Sequence, residues 1–251
     1  MGTNSMSWNS DEENTTGQIA AVQRKIEKRR SQGDHMETFV APKGTKLTTS
    51  FWGQAWCRHL ERYCGYEIRL PNGRSYLRGG NVYNFTIETG TVRAEVAGSD
   101  LYDVTITMAL LAPSTWLNIK AQCSGQVGSL LDLLSGKLGD SVMKIVTDPE
   151  TGLFPQRGEI KHRCTCPDYA DLCKHQAAVM YAIGVRFDQD PRCFFELRGV
   201  DPSELIASSA HALDYASLPH DSGLAGEDLS ALFGIDLASD LPEAVTHPEN
   251  D

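Results

Sequence analysis

The chain has 251 residues, 41% of them hydrophobic, and a formal net charge of −10, which is room for one large domain or two small ones around a buried core. No run reaches the roughly 18 apolar residues of a membrane span, and residues 1–10 have neither a basic head nor an apolar middle, so a cytoplasmic location is expected. The charge excludes less than it suggests. Of the 33 acidic residues, 11 lie from Asp201 onward, where Lys and Arg are absent, which leaves 22 against 23 basic residues before it; a near-neutral body can still carry a basic face.

Residues 1–46 read as a flexible or helical basic arm. A helix over 18–30 would be strongly basic in its second half, and Ile19, Ala20, Ala21, Val22 and Ile26 give it only a thin apolar stripe. It is either a solvated arm or one that meets nucleic acid.

A body is expected over 47–147. Thr48, Thr49 and Ser50 are N-cap candidates for an amphipathic helix in which Trp52, Trp56, Leu60 and Tyr63 recur at helical spacing, with Gly65 as its stop. The following stretch, 68–81, is punctuated by Pro71, Gly73, Gly79 and Gly80 and reads as a loop. It gathers Arg69, Arg74 and Arg78 around Tyr76, a basic and aromatic grouping suited to phosphate contact and base stacking. Apolar residues then fall on alternate positions in three runs: Tyr83, Phe85 and Ile87; Val92, Ala94 and Val96; Tyr102, Val104, Ile106 and Met108. With turn residues between them these runs predict an antiparallel meander, its buried face covered by the tryptophan helix. Three helical segments follow, carrying Trp116, Ile119 and Cys123, then 127–134, then 140–146. The intervening Gly125 and Gly128 lack the Gly-Lys-Ser/Thr of a phosphate loop and are helix punctuation.

Asp148-Pro149-Glu150-Thr151-Gly152 is a turn and the natural boundary before a module at 148–200. Its strand, 159–164, leads into Cys164-x-Cys166, a six-residue spacer and Cys173-x-His175, with a helix beyond. Seven cysteines in odd number and irregular spacing, without an export signal, argue for a reducing compartment, where clustered cysteines bind metal. Three thiolates and an imidazole fill the four positions of a tetrahedral zinc site and leave none for a substrate water, so one structural Zn2+ is expected and no enzymatic activity. Cys57, Cys64, Cys123 and Cys193 lie among apolar residues and read as small core side chains. Lys161, Arg163 and Lys174 flank the metal motif and, with Arg69, Arg74 and Arg78, are candidates for a phosphate-binding face.

The Cys-x-Cys and Cys-x-His pairs ahead of a helix resemble the SWIM zinc finger, which implies a small strand-strand-helix zinc unit. Residues 51–57, 70–76, 146–149, 152–155 and 197–202 are also similar to prokaryotic SWIM zinc finger proteins, so the resemblance covers about residues 47–205. Such proteins are often encoded beside Swi/Snf-type helicase-like ATPases. The resemblance implies an accessory subunit in DNA-associated processes of helicase or recombination type, with such an ATPase or another protein as partner; the alternative is a protein-interaction adaptor that makes no nucleic-acid contact. The expected class is α+β, an antiparallel meander packed with helices plus a ββα zinc module. Residues 201–251 form an acidic C-terminal helix and tail: Asp201-Pro202-Ser203-Glu204 reads as a capping box opening a helix to about Leu213, and 227–237 as a short amphipathic piece carrying Leu229, Leu232, Phe233 and Ile235.

Overall fold

The alternating runs become strands. The computed structural model describes residues 8–63, 69–124, 126–127 and 130–206. In it β1 (Val82–Glu88), β2 (Thr91–Ala97) and β3 (Leu101–Met108) form the antiparallel meander. A fourth strand, β4 (Ile160–Cys164), pairs antiparallel with β3, giving the order β1-β2-β3-β4. The strand that leads into the metal motif is thus an edge of the same sheet. β1 carries an irregularity where its register shifts between Tyr83 and Thr86, at Asn84, which has a positive φ of 49°. Asn tolerates that conformation, and its side chain accepts from Glu37 N and donates to His35 O and Glu95 Oε2.

The helix after the cysteines, α7 (Lys174–Gln189), occupies the centre of the fold. Every residue from His175 to Val185 is buried, and so is Phe187, the pattern of a helix enclosed on all sides. It lies on β1, β3 and β4 with one side, and packs α2 (Phe51–Tyr63) and α3 (Arg69–Arg78) on the other. The approach is close because glycines line it. A Cβ on Gly53 would sit 2.7 Å from Gly184 O, and one on Gly73 would sit 2.4 Å from Ala177 Cβ.

Two expectations are corrected here. Residues 69–78 form a helix where a loop was expected: Pro71 falls in its first turn, where proline is tolerated, and Gly73 is the contact point with α7. The tryptophan helix α2 packs chiefly on α7, so α7 covers the buried face of the sheet. Trp52 and Trp56 are fully buried and donate their indole N–H to Leu133 O at 3.1 Å and Met180 O at 2.8 Å.

The basic arm is helical and packs on the sheet. In α1 (Trp8–Ser31), Val22 and Ile26 are buried with Met36, Tyr83 and Ala97 in a second cluster on the opposite face of the sheet. Lys25 pairs with Asp100 at 2.8 Å, and Arg29 with Glu95.

Three helices follow the meander: α4 (Pro113–Cys123) and α6 (Asp140–Val146) fall where the pattern put them, and α5 (Leu130–Ser135) starts three residues later than the 127 expected. Pro113 takes the first position of α4, so its N-cap is Ala112. The turn at 148–152 is built on Asp148, whose Oδ1 accepts from the backbone of Glu150 and Thr151; beyond it the chain supplies β4 and α7. Helix α8 (Arg192–Arg198) buries Phe194, Phe195 and Leu197 and ends at Gly199 with φ 70°. Arg198, 2% exposed, donates to Ala109 O at 2.6 Å and pairs with Glu159 at 3.3 Å, fastening α8 to the end of β3. Gly65, Cys64, the helix beyond Ile206 and the 227–237 piece lie outside the described residues. Among the described residues no helix is long and apolar enough to cross a membrane.

Candidate metal centre

Four residues meet where β4 ends and α7 begins. Cys164, the last residue of β4, is paired with Val104 on β3 and so faces the buried side of the sheet. Thr165 then turns back onto β3: its N–H donates to Asp103 O at 3.1 Å and its Oγ1 accepts from Asp103 N at 3.0 Å. That clamp fixes the residue between the first two cysteines. In the spacer, Asp168 accepts from Ala170 N at 3.1 Å and pairs with Arg69 of α3 at 3.2 Å, while Leu172 is buried as an anchor.

Cys173 is both a ligand candidate and the N-cap of α7. Its Sγ accepts from Gln176 N at 3.4 Å, and Gln176 Oε1 accepts from Cys173 N at 2.8 Å, a capping box with sulfur in the place of the usual hydroxyl. His175 follows in the first turn, its Nδ1 3.9 Å from Cys164 Sγ and 3.8 Å from Cys173 Sγ.

The donor atoms of Cys164, Cys166, Cys173 and His175 all lie within 4.8 Å of one another. Zinc bonds of roughly 2.3 Å to sulfur and 2.0–2.1 Å to nitrogen put the edges of a tetrahedral site at about 3.6–3.8 Å, so the donors stand close to their places. The electrostatics favour a cation. Cys173 is held down to about 4 by hydrogen bonding from Cys164, then His175 and the Gln176 N–H, at a helix N-terminus that favours a thiolate. Cys164 is pushed up, first by its neighbour Cys173 and then by burial: without a metal, three sulfurs this close do not all ionise. A divalent ion held by these residues would remove that repulsion and tie the end of the sheet to the start of α7. Elsewhere, burial raises Cys57 and Cys123 to about 11, which keeps them as neutral thiols.

This is a zinc-binding finger closed entirely by protein side chains. Residues 146–184 match the family model described as SWIM zinc finger, and the chain carries a SWIM zinc finger that binds one zinc ion through Cys164, Cys166, Cys173 and His175. Similarity reaches beyond the finger: an uncharacterized protein of Mycobacterium tuberculosis, Rv2102, is 31% identical over 169 residues. That alignment takes in 66% of this chain and 61% of the relative, so the chain spans less than two thirds of the relative's length. No solved structure matches.

The six basic candidates do not form one face. As a helix, α3 turns Arg69 and Tyr76 toward the metal loop, where Lys174 Nζ sits 4.8 Å from the Tyr76 ring centre. Arg74 and Arg78 point to the opposite flank: Arg74 bonds to Glu61 and to Tyr181 Oη, the latter at 2.9 Å, and Arg78 bonds to Thr45 O. Lys161 and Arg163 are exposed on the outer side of β4. Register adds a residue that sequence reasoning missed. Arg93 is opposite Thr105, which is opposite Arg163, so Arg93 and Arg163 share the face that α1 partly covers, both exposed and about 10 Å apart, twice the strand spacing. The local signal at Arg93, one exposed position in an alternating strand, does not distinguish it from any solvated arginine.

Proposed function

We propose that this chain is a non-enzymatic, cytoplasmic accessory subunit in DNA-associated processes, which contacts the phosphate backbone through the part of the sheet's outer face that α1 leaves exposed, beside the zinc finger. The observation that supports this reading is the row of Arg93, Arg163 and the adjacent Lys161. All three are exposed, and none has an ion-pair partner among the described residues. Glu88, Asp103 and Glu95, the last paired with Arg29 of α1, border the row, so the positive field is local and concentrated toward β4. Tyr169, fully exposed in the metal spacer, adds an aromatic surface able to stack on a base. Zinc fixes the end of β4 and thereby the strand that carries two of the three cations. A Swi/Snf-type helicase-like ATPase is the class of partner this reading calls for, with the motor in the partner and the zinc-stiffened surface in this chain.

The test is a titration of zinc-loaded full chain against single- and double-stranded DNA at rising salt. Affinity should fall steeply with salt, and Lys161→Gln and Arg163→Gln should each weaken binding and lower the salt slope by about 1. Absence of any salt-sensitive binding would remove the DNA contact and favour the adaptor role.

A further inference from the structure

On the flank of α3 that faces away from the metal, a cavity of about 370 Å³ opens between α2, α3 and the segment that precedes α2. Four cationic side chains line it, Lys46, Arg58, Arg74 and Arg78, against one carboxylate, Glu61. Two of the guanidinium groups are held in place. Arg74 is fixed by Glu61 and by Tyr181 Oη and lies 5.0 Å from the Tyr181 ring centre, while Arg78 is tied to Thr45 O. Arg74 Nε is buried without a hydrogen-bond partner among the described residues, so a donor is left over in that wall. Arg58 and Lys46 are exposed, and neither has an ion-pair partner among the described residues.

Solvated surface cations ordinarily point apart or pair with carboxylates. Here four of them line one open cleft against a single carboxylate, a surplus of positive charge that favours an anion. Guanidinium forks match phosphate oxygens in pairs, prior fixing of Arg74 and Arg78 reduces the ordering cost of binding, and the volume is within the range of small-ligand pockets. We infer that this cavity is a binding site for a small phosphate-bearing ligand. The site is independent of the DNA contact proposed above, which uses the far side of the sheet.

Arg58→Gln and Lys46→Gln are the variants of choice, because neither residue holds the fold. Calorimetric titration of the zinc-loaded full chain with inorganic pyrophosphate and with AMP should show saturable binding of at least one, weakened about tenfold by either substitution, in line with the loss of one charge-assisted hydrogen bond. Lys161→Gln with Arg163→Gln should leave that binding unchanged, which separates it from the DNA face. The inference is overturned if neither probe binds at millimolar concentration, or if the Arg58 and Lys46 variants bind as tightly as the unaltered chain.

Discussion

His175 offers Nδ1 to the metal position, and its other ring nitrogen, Nε2, is buried with no partner among the described residues. Metal-binding histidines usually hand that second N–H to a carboxylate or carbonyl that fixes the ring. Here the ring is held by shape: Tyr76 and Tyr102 contact it at centroid distances of 5.4 and 4.7 Å, and Gly98 lies against Nε2. A Cβ on Gly98 would sit 2.6 Å from Nε2 and 3.0 Å from the Tyr102 ring, so Gly98→Ala must turn the imidazole or displace β3. Zinc affinity of that variant should drop about 10- to 100-fold, the usual effect of disturbing a ligand's support, as measured by competition with a chromogenic chelator. Affinity equal to that of the unaltered chain would show that Gly98 does not orient the ring. The four ligands were legible in the sequence because zinc chemistry compresses them into one segment. Gly98, Tyr76 and Tyr102 reach the ring from a turn, a helix and a strand with no local pattern in common, and only the fold assembles them.

The elements owe their arrangement to α7, and the contact between α2 and α7 shows how. Asp188, near the end of α7, receives the N-terminus of α2: its Oδ1 accepts from Ser50 N at 3.0 Å and Ser50 Oγ at 2.6 Å, and its carboxylate also accepts from Thr49. The cap expected from Thr48, Thr49 and Ser50 is thus anchored by a residue more than a hundred positions away. Ser50 Oγ itself caps α2, accepting from Gly53 N at 3.2 Å, so replacing Asp188 by Ala removes the carboxylate that anchors the capping residue and should lower stability by about 1–2 kcal/mol, the range of lost hydrogen bonds to a charged group. It would appear as a lower denaturation midpoint with an unchanged denaturant slope and full zinc content; an unaltered midpoint would remove Asp188 from the account of α2. Helix α3 was the element that the sequence concealed. Pro71-Asn72-Gly73 has the composition of a turn, yet Leu70, Gly73 and Leu77 are buried against α7, and the gain from that packing outweighs a weak local preference for helix. The meander and α4 to α6 were readable because alternation and helical spacing are themselves consequences of one buried face.

Taken as a whole molecule, the finger and the body are coupled through two shared elements. β4 enters the metal site from the sheet, and α7 leaves it to become the core helix that contacts α2, α3, β1, β3 and β4. This coupling was the part least visible in sequence: Asp148 does form a turn, but the pairing of Thr105 with Arg163 and Thr107 with Lys161 joins residues far apart in the chain, and nothing in either strand names its partner. The energetic consequence is large. A structural zinc ion contributes roughly 10–16 kcal/mol of apparent binding free energy at neutral pH, while a domain's net stability is about 5–15 kcal/mol. Loss of the ion leaves Cys164, Cys166 and Cys173 crowded at the N-terminus of the helix on which the core is built, so the disturbance has no boundary at which to stop. Chelation with EDTA should therefore unfold or strongly destabilise the body together with the finger, in a single transition. The buried indoles of Trp52 and Trp56, packed beside Phe187, Phe194 and Phe195 at the other end of α7, are the reporters. Their fluorescence and near-ultraviolet dichroism should change along with zinc release, and re-addition of zinc should restore both. If the tryptophan signals persist with their original melting midpoint after stoichiometric zinc removal, the finger is an appendage and α7 holds the core without its metal.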